Sequence, residues 1–285
     1  MIQLCDITYV RLGTRDLEGA TRYATDILGL EVAERGGNWT QFRSDSRAHT
    51  LCYFEGDPSD QIAAFEVASR GELDAAAAEL ERLGHPVRAG TRAECEQRKV
   101  HDFIAFDDPT GNRIELVWRP QRVGTVFRGT RDAGITGFSH IGLCSTDVVR
   151  DEAFWTRVCN ARASDHIGDA PLLRFGRIHH TLALFPTHRK GIQHVNHQMA
   201  DTDDVQRAWN FIRGRNVRVV FGPGRHPTSS ARFLYFEGPD GMVFEYSAGV
   251  CEIDDEAAWR SRQFEAAPRG FCKWGSKPDI KEFRT

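Results

Sequence analysis

The sequence predicts an α+β protein of two tandem domains, each built from two βαβββ modules that form a curved mixed sheet. Three observations predict this architecture: an internal duplication, strand patterns that follow amphipathic helices, and tight-turn sequences near the end of each half. The chain of 285 residues is long enough for two domains of ordinary size. Its contents of 40% hydrophobic and 27% charged residues are typical of a folded protein with a substantial core.

The duplication relates the two halves at a nearly constant offset. Residues 7–16 resemble residues 137–147, and further segments correspond at 130 or 131 residues. Three equivalent pairs define the register: Asp16 with Asp147, His49 with His180, and Glu115 with Glu245. Registers that agree within one residue indicate a tandem repeat. We predict domains at 1–120 and 136–250, a linker over 121–135 and a polar tail over 251–285.

Local patterns predict the elements of each half. Helices are predicted at 17–28, 72–83 and 203–213, each opening near an acidic residue that suits a helix N-terminus. Apolar or alternating runs predict strands at 103–106, 113–118, 217–221, 232–236 and 242–246. The tetrads Asp-Pro-Thr-Gly (108–111) and Gly-Pro-Asp-Gly (238–241) predict tight turns between antiparallel strands. Each module therefore runs from a strand through a helix into further strands.

Charge and cysteine usage narrow the classes of function. A formal net charge of -3 and dispersed arginines predict neither a nucleic-acid partner nor a membrane surface, so a small molecule is the expected partner. The sequence shows no secretory signal pattern and no run of about 18 apolar residues, and we expect a cytoplasmic protein. The seven cysteines lack the spacing of zinc or redox sites, and most of them are expected to be buried as small hydrophobic residues.

Histidines are concentrated in the second half, where eight of the eleven lie. Two of them, His140 and His194, and the carboxylate of Glu245 occupy equivalent places on strands expected to line one curved sheet. Alone, a histidine on an apolar strand is more often an ordinary core residue, and Glu245 could face solvent. Together the three predict a divalent metal, because a buried carboxylate is costly without a cation. Imidazole and carboxylate ligands suit iron(II), manganese(II) or zinc(II).

The first half lacks this set of residues. Tyr9 stands where the second half has His140, and approximately Ile62 stands opposite His194. Glu115 remains opposite Glu245 and is expected to be a solvated or salt-bridged strand end. The metal is therefore predicted in the second domain alone.

Three further residues are candidates for proton chemistry. A histidine such as His180 or His226 can exchange a proton near neutral pH, and the hydroxyl of Tyr235 can polarise a bound oxygen. The structural alternatives are a loop-capping or exposed role for His226 and a half-buried strand aromatic for Tyr235.

The C-terminal motif has a family resemblance. The run Gly-Pro-x-Arg-His226, then Tyr235, Pro239-Asp240-Gly241 and Glu245, resembles in order and spacing the signature of type I extradiol ring-cleavage dioxygenases. This group of the vicinal oxygen chelate superfamily includes catechol 2,3-dioxygenases and 2,3-dihydroxybiphenyl dioxygenases, and the resemblance covers about residues 5–250. It implies the vicinal oxygen chelate fold and one non-haem iron(II), with manganese(II) as the alternative. The implied roles are ligands for His140, His194 and Glu245, acid/base for His180, and a supporting pair for His226 and Tyr235.

The same resemblance implies extradiol cleavage of a substituted catechol by dioxygen, a 2-hydroxymuconate-type product and a homo-oligomer. His180 is preferred to His179 because the family motif is histidine, any residue, an aliphatic residue and alanine. The loop from His180 to His194 is one residue shorter than in familiar members, which leaves the choice between the two histidines open.

The rival interpretation is a glyoxalase-like isomerase or a metal-free drug-binding protein of the same fold. Isomerases generally recruit a further carboxylate, and binding proteins lose the ligands that this chain keeps. Pocket walls are expected from Phe154-Trp155, residues 166–171, Met199 and Lys273-Trp274. The tail is expected to pack on the second domain, either as a lid over the pocket or as a cover on the outside of the sheet.

Overall fold

The computed structural model describes residues 1–283 and contains two mixed β-sheets, one from each half of the chain. The elements of the first half are β1 (Leu4–Thr14), α1 (Leu17–Arg22), β2 (Glu31–Arg35), β3 (Trp39–Arg43), β4 (Leu51–Glu55), β5 (Gln61–Val67), α2 (Arg70–Arg82), β6 (Arg88–Ala89), α3 (Arg92–Arg98), β7 (Asp102–Asp107) and β8 (Arg113–Trp118). The elements of the second half are β9 (Ile135–Ser145), α4 (Val148–Ala153), β10 (Arg162–Ile167), β11 (Ala170–Arg174), β12 (Leu182–Pro186), β13 (Ile192–Met199), α5 (Thr202–Gly214), β14 (Val219–Arg225), β15 (Arg232–Glu237), β16 (Val243–Ala248), β17 (Arg262–Phe264) and α6 (Pro268–Phe271).

The two sheets share one topology. The first has the strand order β2-β3-β4-β1-β5-β8-β7-β6, and the second has β14-β15-β16-β13-β9-β12-β11-β10-β17. In each, the first strands of the two modules, β1 and β5 or β9 and β13, pair antiparallel at the centre. Each module pairs its first and last strands in parallel. This is the predicted α+β arrangement of four βαβββ modules, with α3 added in the second module.

The predicted helices are present, and side-chain caps start them. Asp16 accepts a hydrogen bond from the Gly19 backbone N–H, and Asp201 accepts one from the backbone N–H of Asp204. The helix predicted over 17–28 is α-helical only to Arg22 and continues as a π-helical turn at Tyr23–Ile27. The prediction did not include α3, α4 or α6, which are short elements of four to seven residues.

The tail packs on the second sheet, as predicted. Strand β17 adds to the sheet edge by pairing in parallel with β10. Beyond it, Phe271, Cys272, Ile280 and Phe283 are buried in one apolar cluster with side chains of β12, β14 and β15. The tail thereby reaches the inner face of the curved sheet.

Most cysteines are buried, as expected. Five of the seven are buried, Cys251 is partly exposed and Cys5 is exposed. All seven are free thiols. Within residues 1–283, no helix is both long and apolar enough to cross a membrane.

Candidate metal centre

The pairing of β9, β13 and β16 brings the three predicted ligands together. Asn196 in the central strand β13 lies opposite both His140 in β9 and Glu245 in β16. His194, two residues earlier on β13, lies opposite Gly142. A Cβ atom at Gly142 would lie 2.6 Å from Nδ1 of His194, so the glycine leaves room for the imidazole.

The ligand atoms of these residues converge on one point. Nε2 of His140 lies 2.9 Å from Oε2 of Glu245, and Nε2 of His194 lies 3.5 Å from the same oxygen. One ligand atom from each of the three residues lies within 4.8 Å of the other two. All three side chains are buried, and a single cation could contact all of them.

The hydrogen bonding of His194 fits a metal ligand. Its Nδ1 is hydrogen-bonded to the amide oxygen of Gln193, which requires the proton on Nδ1 and leaves a lone pair on Nε2. Among the described residues, that buried Nε2 has no hydrogen-bond partner. A lone pair and a carboxylate that face each other are both acceptors, and a cation between them would satisfy both.

The protonation of these groups favours a cation as well. Burial lowers the pKa of His194 to about 3 against the opposing effect of Glu245, so this imidazole is neutral at pH 7. Burial raises the pKa of Glu245, but its interactions with His140, His226 and His194 outweigh burial and hold the pKa well below 4.5. The site therefore presents an anionic carboxylate beside a neutral imidazole.

The other three candidates surround this centre. The His180 ring centroid lies 4.3 Å from that of His140. Nδ1 of His226 lies 2.9 Å from the carbonyl oxygen of Phe271, and its Nε2 lies 3.2 Å from the hydroxyl of Tyr235. Burial, followed by the charge of Glu245, raises the pKa of Tyr235 well above 10, so its hydroxyl keeps its proton. Both residues are buried, so His226 is not exposed and Tyr235 is not the half-buried strand aromatic of the structural alternative.

A small cavity of about 20 Å³ adjoins the centre. Its polar lining residues are His180, His194, His226, Thr228 and Tyr235. The apolar lining residues are Ile167, Leu172, Ala183, Phe185, Phe271 and Phe283. This volume holds about one water molecule. An aromatic substrate can enter only if lining side chains move, and Phe271 and Phe283 belong to the tail.

The predicted pocket walls were mostly wrong. Trp155 and Met199 lie in the main hydrophobic core, and Trp274 is exposed. From the predicted segment 166–171, Ile167 lines the cavity. The tail contributes Phe271 and Phe283 instead of Lys273 and Trp274. The aromatic residues of the tail were the available sign that it could line a pocket. The tail has no sequence periodicity, however, so the sequence did not predict which of these side chains face the cavity.

In the first half, an arginine pairs with the carboxylate that corresponds to Glu245. Glu115 is buried, and Arg98 of α3 donates from Nη2 to Oε1 at 2.8 Å and from Nε to Oε2 at 2.9 Å. The hydroxyl of Tyr9 donates to Oε2 at 2.6 Å. The expected salt bridge is thus present, but the expectation that Glu115 could be solvated was wrong. The guanidinium neutralises the carboxylate where the second half has two histidines.

The strand register supports the assigned counterparts. Ile62 on β5 lies opposite Arg113, two residues before Glu115, while His194 on β13 lies opposite Val243, two residues before Glu245. Ile62 is therefore the counterpart of His194, as the sequence comparison predicted.

We expect Glu115→Ala to lower the free energy of unfolding by about 3–5 kcal/mol, because it leaves the buried Arg98 without a counter-charge. Urea denaturation of the variant and the parent protein measures this difference. The double variant Glu115→Ala/Arg98→Met is the matched control and should recover part of the loss. An unchanged unfolding free energy in Glu115→Ala would contradict the buried ion pair.

Known proteins share this fold and domain pattern. The family model of the "Glyoxalase/Bleomycin resistance protein/Dioxygenase superfamily" matches residues 6–116 and 137–246. Among solved structures, a halotolerant catechol dioxygenase superposes with a TM-score of 0.89 at 22% identity, covering 100% of this chain and 98% of the other. A Mn(II)-bound glyoxalase from Novosphingobium aromaticivorans also has a TM-score of 0.89, at 23% identity, covering 100% and 95%.

Similar curated proteins are named as dioxygenases. A biphenyl-2,3-diol 1,2-dioxygenase of Sphingomonas paucimobilis is 24% identical, with 92% of this chain and 94% of the relative covered. An iron-dependent extradiol dioxygenase of Rhodococcus jostii is 25% identical, with 91% and 94% covered. These names agree with the resemblance found in the sequence. Because the family model matches both halves, the chain belongs to the glyoxalase/bleomycin resistance protein/dioxygenase superfamily.

Proposed function

We propose that the protein cleaves a substituted catechol with dioxygen at a mononuclear iron(II), by extradiol cleavage. His140, His194 and Glu245 would hold the metal, with manganese(II) as the alternative. The observation that carries this proposal is the buried Nε2 of His194, which faces the carboxylate of Glu245 with no hydrogen-bond partner among the described residues. Two relatives that match more than 90% of this chain, one named a biphenyl-2,3-diol 1,2-dioxygenase and the other an iron-dependent extradiol dioxygenase, support the same activity.

The chain's own residues have distinct tasks in this reaction. An iron(II) held by His140, His194 and Glu245 would supply the redox chemistry that allows an aromatic diol to react with dioxygen. His180 accepts a proton from a catechol hydroxyl and later returns one to substrate-derived oxygen. Tyr235, which keeps its proton, donates a hydrogen bond towards reacting oxygen, and the apolar walls exclude water. Incorporation of both oxygen atoms gives a ring-opened 2-hydroxymuconate-type product.

The cavity lining favours catechols with apolar ring substituents. The walls beyond the histidines include Ile167, Leu172 and Phe185, and no lysine or arginine among residues 1–283 lines the cavity. A carboxylate on the ring would lose its hydration there without gaining a counter-charge, which is costly.

We also propose that the two halves of the chain form domains with different roles. Residues 1–120 form a domain without metal, 136–250 form the catalytic domain, and 121–135 and 251–285 are the linker and the tail. The homo-oligomer implied by the family remains a prediction, which light scattering of the purified protein tests.

The second candidate function is a metal-dependent isomerase, because one solved structure of the same fold is a Mn(II)-bound glyoxalase. Within residues 1–283, however, the cavity lining includes no carboxylate for proton transfer.

The deciding experiment is anaerobic metal analysis followed by oxygen uptake with catechol, 3-methylcatechol and 3-phenylcatechol. We expect iron-dependent uptake of one dioxygen per catechol and two ¹⁸O atoms in the product. Iron-loaded protein that consumes no oxygen but isomerises a hemithioacetal would overturn the proposal.

We expect Phe283→Ala to raise the rate with 3-phenylcatechol relative to 3-methylcatechol, because Phe283 closes the cavity from the tail. Its ring centroid lies 4.8 Å from that of Phe185 and 5.1 Å from that of Phe271, so truncation opens space beside both. The kcat/KM ratio of the two substrates measures this effect. Trp274→Ala, which changes an exposed tail aromatic, is the control. An unchanged ratio with iron still bound would show that Phe283 moves aside without selecting substrates.

A further inference from the structure

His179, next to the proposed acid/base His180, lies in a buried array that the reaction described above does not use. Its Nδ1 lies 3.1 Å from Nδ1 of His180, and its Nε2 lies 2.8 Å from Oδ2 of Asp165. Neither His179 nor Asp165 has any solvent exposure. The two histidine rings are perpendicular, with centroids 5.3 Å apart.

The tail completes this array on the far side of Asp165. Arg262 of β17 donates from Nε to Oδ1 at 3.0 Å, from Nη2 to Oδ2 at 2.6 Å, and from its backbone N–H to Oδ1 at 2.9 Å. The same guanidinium donates to the carbonyl oxygen of Thr228 at 2.8 Å and packs over the ring of Trp259. A continuous chain of contacts therefore links Arg262, Asp165, His179 and His180.

The positions of the protons follow from the donors and acceptors. Burial raises the pKa of Asp165, but the hydrogen bonds from His179 and Arg262 outweigh it and lower the pKa, so Asp165 is an anion that only accepts. His179 must therefore donate from Nε2. Burial lowers the pKa of His179 against the opposing effect of Asp165, so the ring is neutral and its Nδ1 is an acceptor. The hydrogen bond between the two Nδ1 atoms then requires the proton on Nδ1 of His180.

We propose that His179 is a positioning residue that holds His180 in the tautomer with its proton on Nδ1, and that Asp165 and the tail residue Arg262 orient His179 for this task. This inference rests on the proposed function. It leaves the lone pair of His180 on Nε2, the nitrogen that does not contact His179, for the substrate proton. A free imidazole exchanges between two tautomers and two ring orientations, and one fixed hydrogen bond removes that freedom.

The contact with β17 gives the tail a second role. Docking of the tail brings Arg262 into contact with Asp165. Asp165 then orients His179, which in turn fixes the tautomer of His180. The strand at the sheet edge thus supports proton transfer, while Phe271 and Phe283 shape the cavity.

Two substitutions of His179 provide a matched test. In His179→Asn, the amide oxygen takes the position of Nδ1 and can still accept from His180, whereas His179→Leu has similar bulk and no acceptor. We expect the kcat of the leucine variant to fall about tenfold, with KM and iron content unchanged, and the asparagine variant to recover most of the loss. Equal kcat values in the two variants would overturn the proposal.

Histidine nitrogen-15 NMR of the protein loaded with zinc(II), which is diamagnetic, provides a readout that needs no turnover. We expect His180 protonated on Nδ1 and His179 protonated on Nε2 in the parent protein, and a lower fraction of the Nδ1–H form of His180 in His179→Leu. A parent protein with His180 protonated on Nε2 would overturn the inference. If the zinc-loaded protein gives the expected spectra but the iron-loaded protein takes up no oxygen with a catechol, the proposed function is refuted and the inferred proton arrangement still holds.

Arg262→Gln tests the link to the tail without removing a fully buried side chain. We expect kcat to fall several-fold with the iron content unchanged, because Asp165 loses its paired donor. Arg269→Gln is the control, since this arginine is exposed and pairs with Glu265 within the tail. A kcat in Arg262→Gln equal to that of Arg269→Gln would remove the tail from the array.

Discussion

Each of the substitutions His140→Ala, His194→Ala and Glu245→Ala is expected to abolish metal retention in a protein that otherwise binds about one iron(II) per chain. Among residues 1–283, these are the three side chains whose ligand atoms converge on one point, and three ligands leave no redundancy. Loss of Glu245 also removes the charge that attracts the cation. Elemental analysis after anaerobic reconstitution and gel filtration measures the retained iron.

The internal repeat supplies the matched control for this experiment. Glu115→Ala removes the equivalent carboxylate of the first half, where Arg98 provides the counter-charge, and its iron content should equal that of the parent protein. A chelator should lower the melting temperature of the parent, because bound metal stabilises the folded state, and should leave that of His194→Ala unchanged. Full iron occupancy in any one ligand variant would remove that residue from the set.

The repeat is also the reason why the centre could be predicted from the sequence. Equivalent strands have equivalent places in the two sheets, so a difference in side-chain chemistry between Tyr9 and His140 stands out against a shared structural role. The strand pairing then follows from topology, since β9, β13 and β16 repeat the arrangement of β1, β5 and β8.

Contacts between remote, non-periodic segments could not be predicted in this way. Arg98 ends a seven-residue helix, and nothing in its own segment indicates that it turns towards Glu115. Arg262 lies in a strand of three residues, and Phe283 follows a stretch of tail without regular alternation. Their positions depend on burial against surfaces formed by other parts of the chain, which local patterns do not encode.

The adjacent histidines show the same limit at close range. His179 and His180 precede β12 in a bend where strand alternation does not apply, and both side chains are buried. Sequence spacing alone could not assign their roles. The structure places His180 against His140 and at the cavity, while His179 turns to Asp165.

We expect His180→Phe to retain iron and catechol binding while kcat falls about a hundredfold or more, the usual scale for loss of a positioned acid/base. The phenyl ring is close to imidazole in size and can pack on His140, but it can neither accept nor donate a proton. A loss confined to kcat, with KM unchanged, separates this effect from a damaged binding site.

His179→Phe is the neighbouring comparison and should be much milder, because it removes a partner of the acid/base and leaves the acid/base itself in place. Oxygen uptake with 3-methylcatechol at equal iron loading measures both variants, and their iron contents should agree. If His179→Phe lost more activity than His180→Phe, the proton-transfer role would belong to the earlier histidine. The contacts of His180 with His140 and the cavity would then serve packing alone.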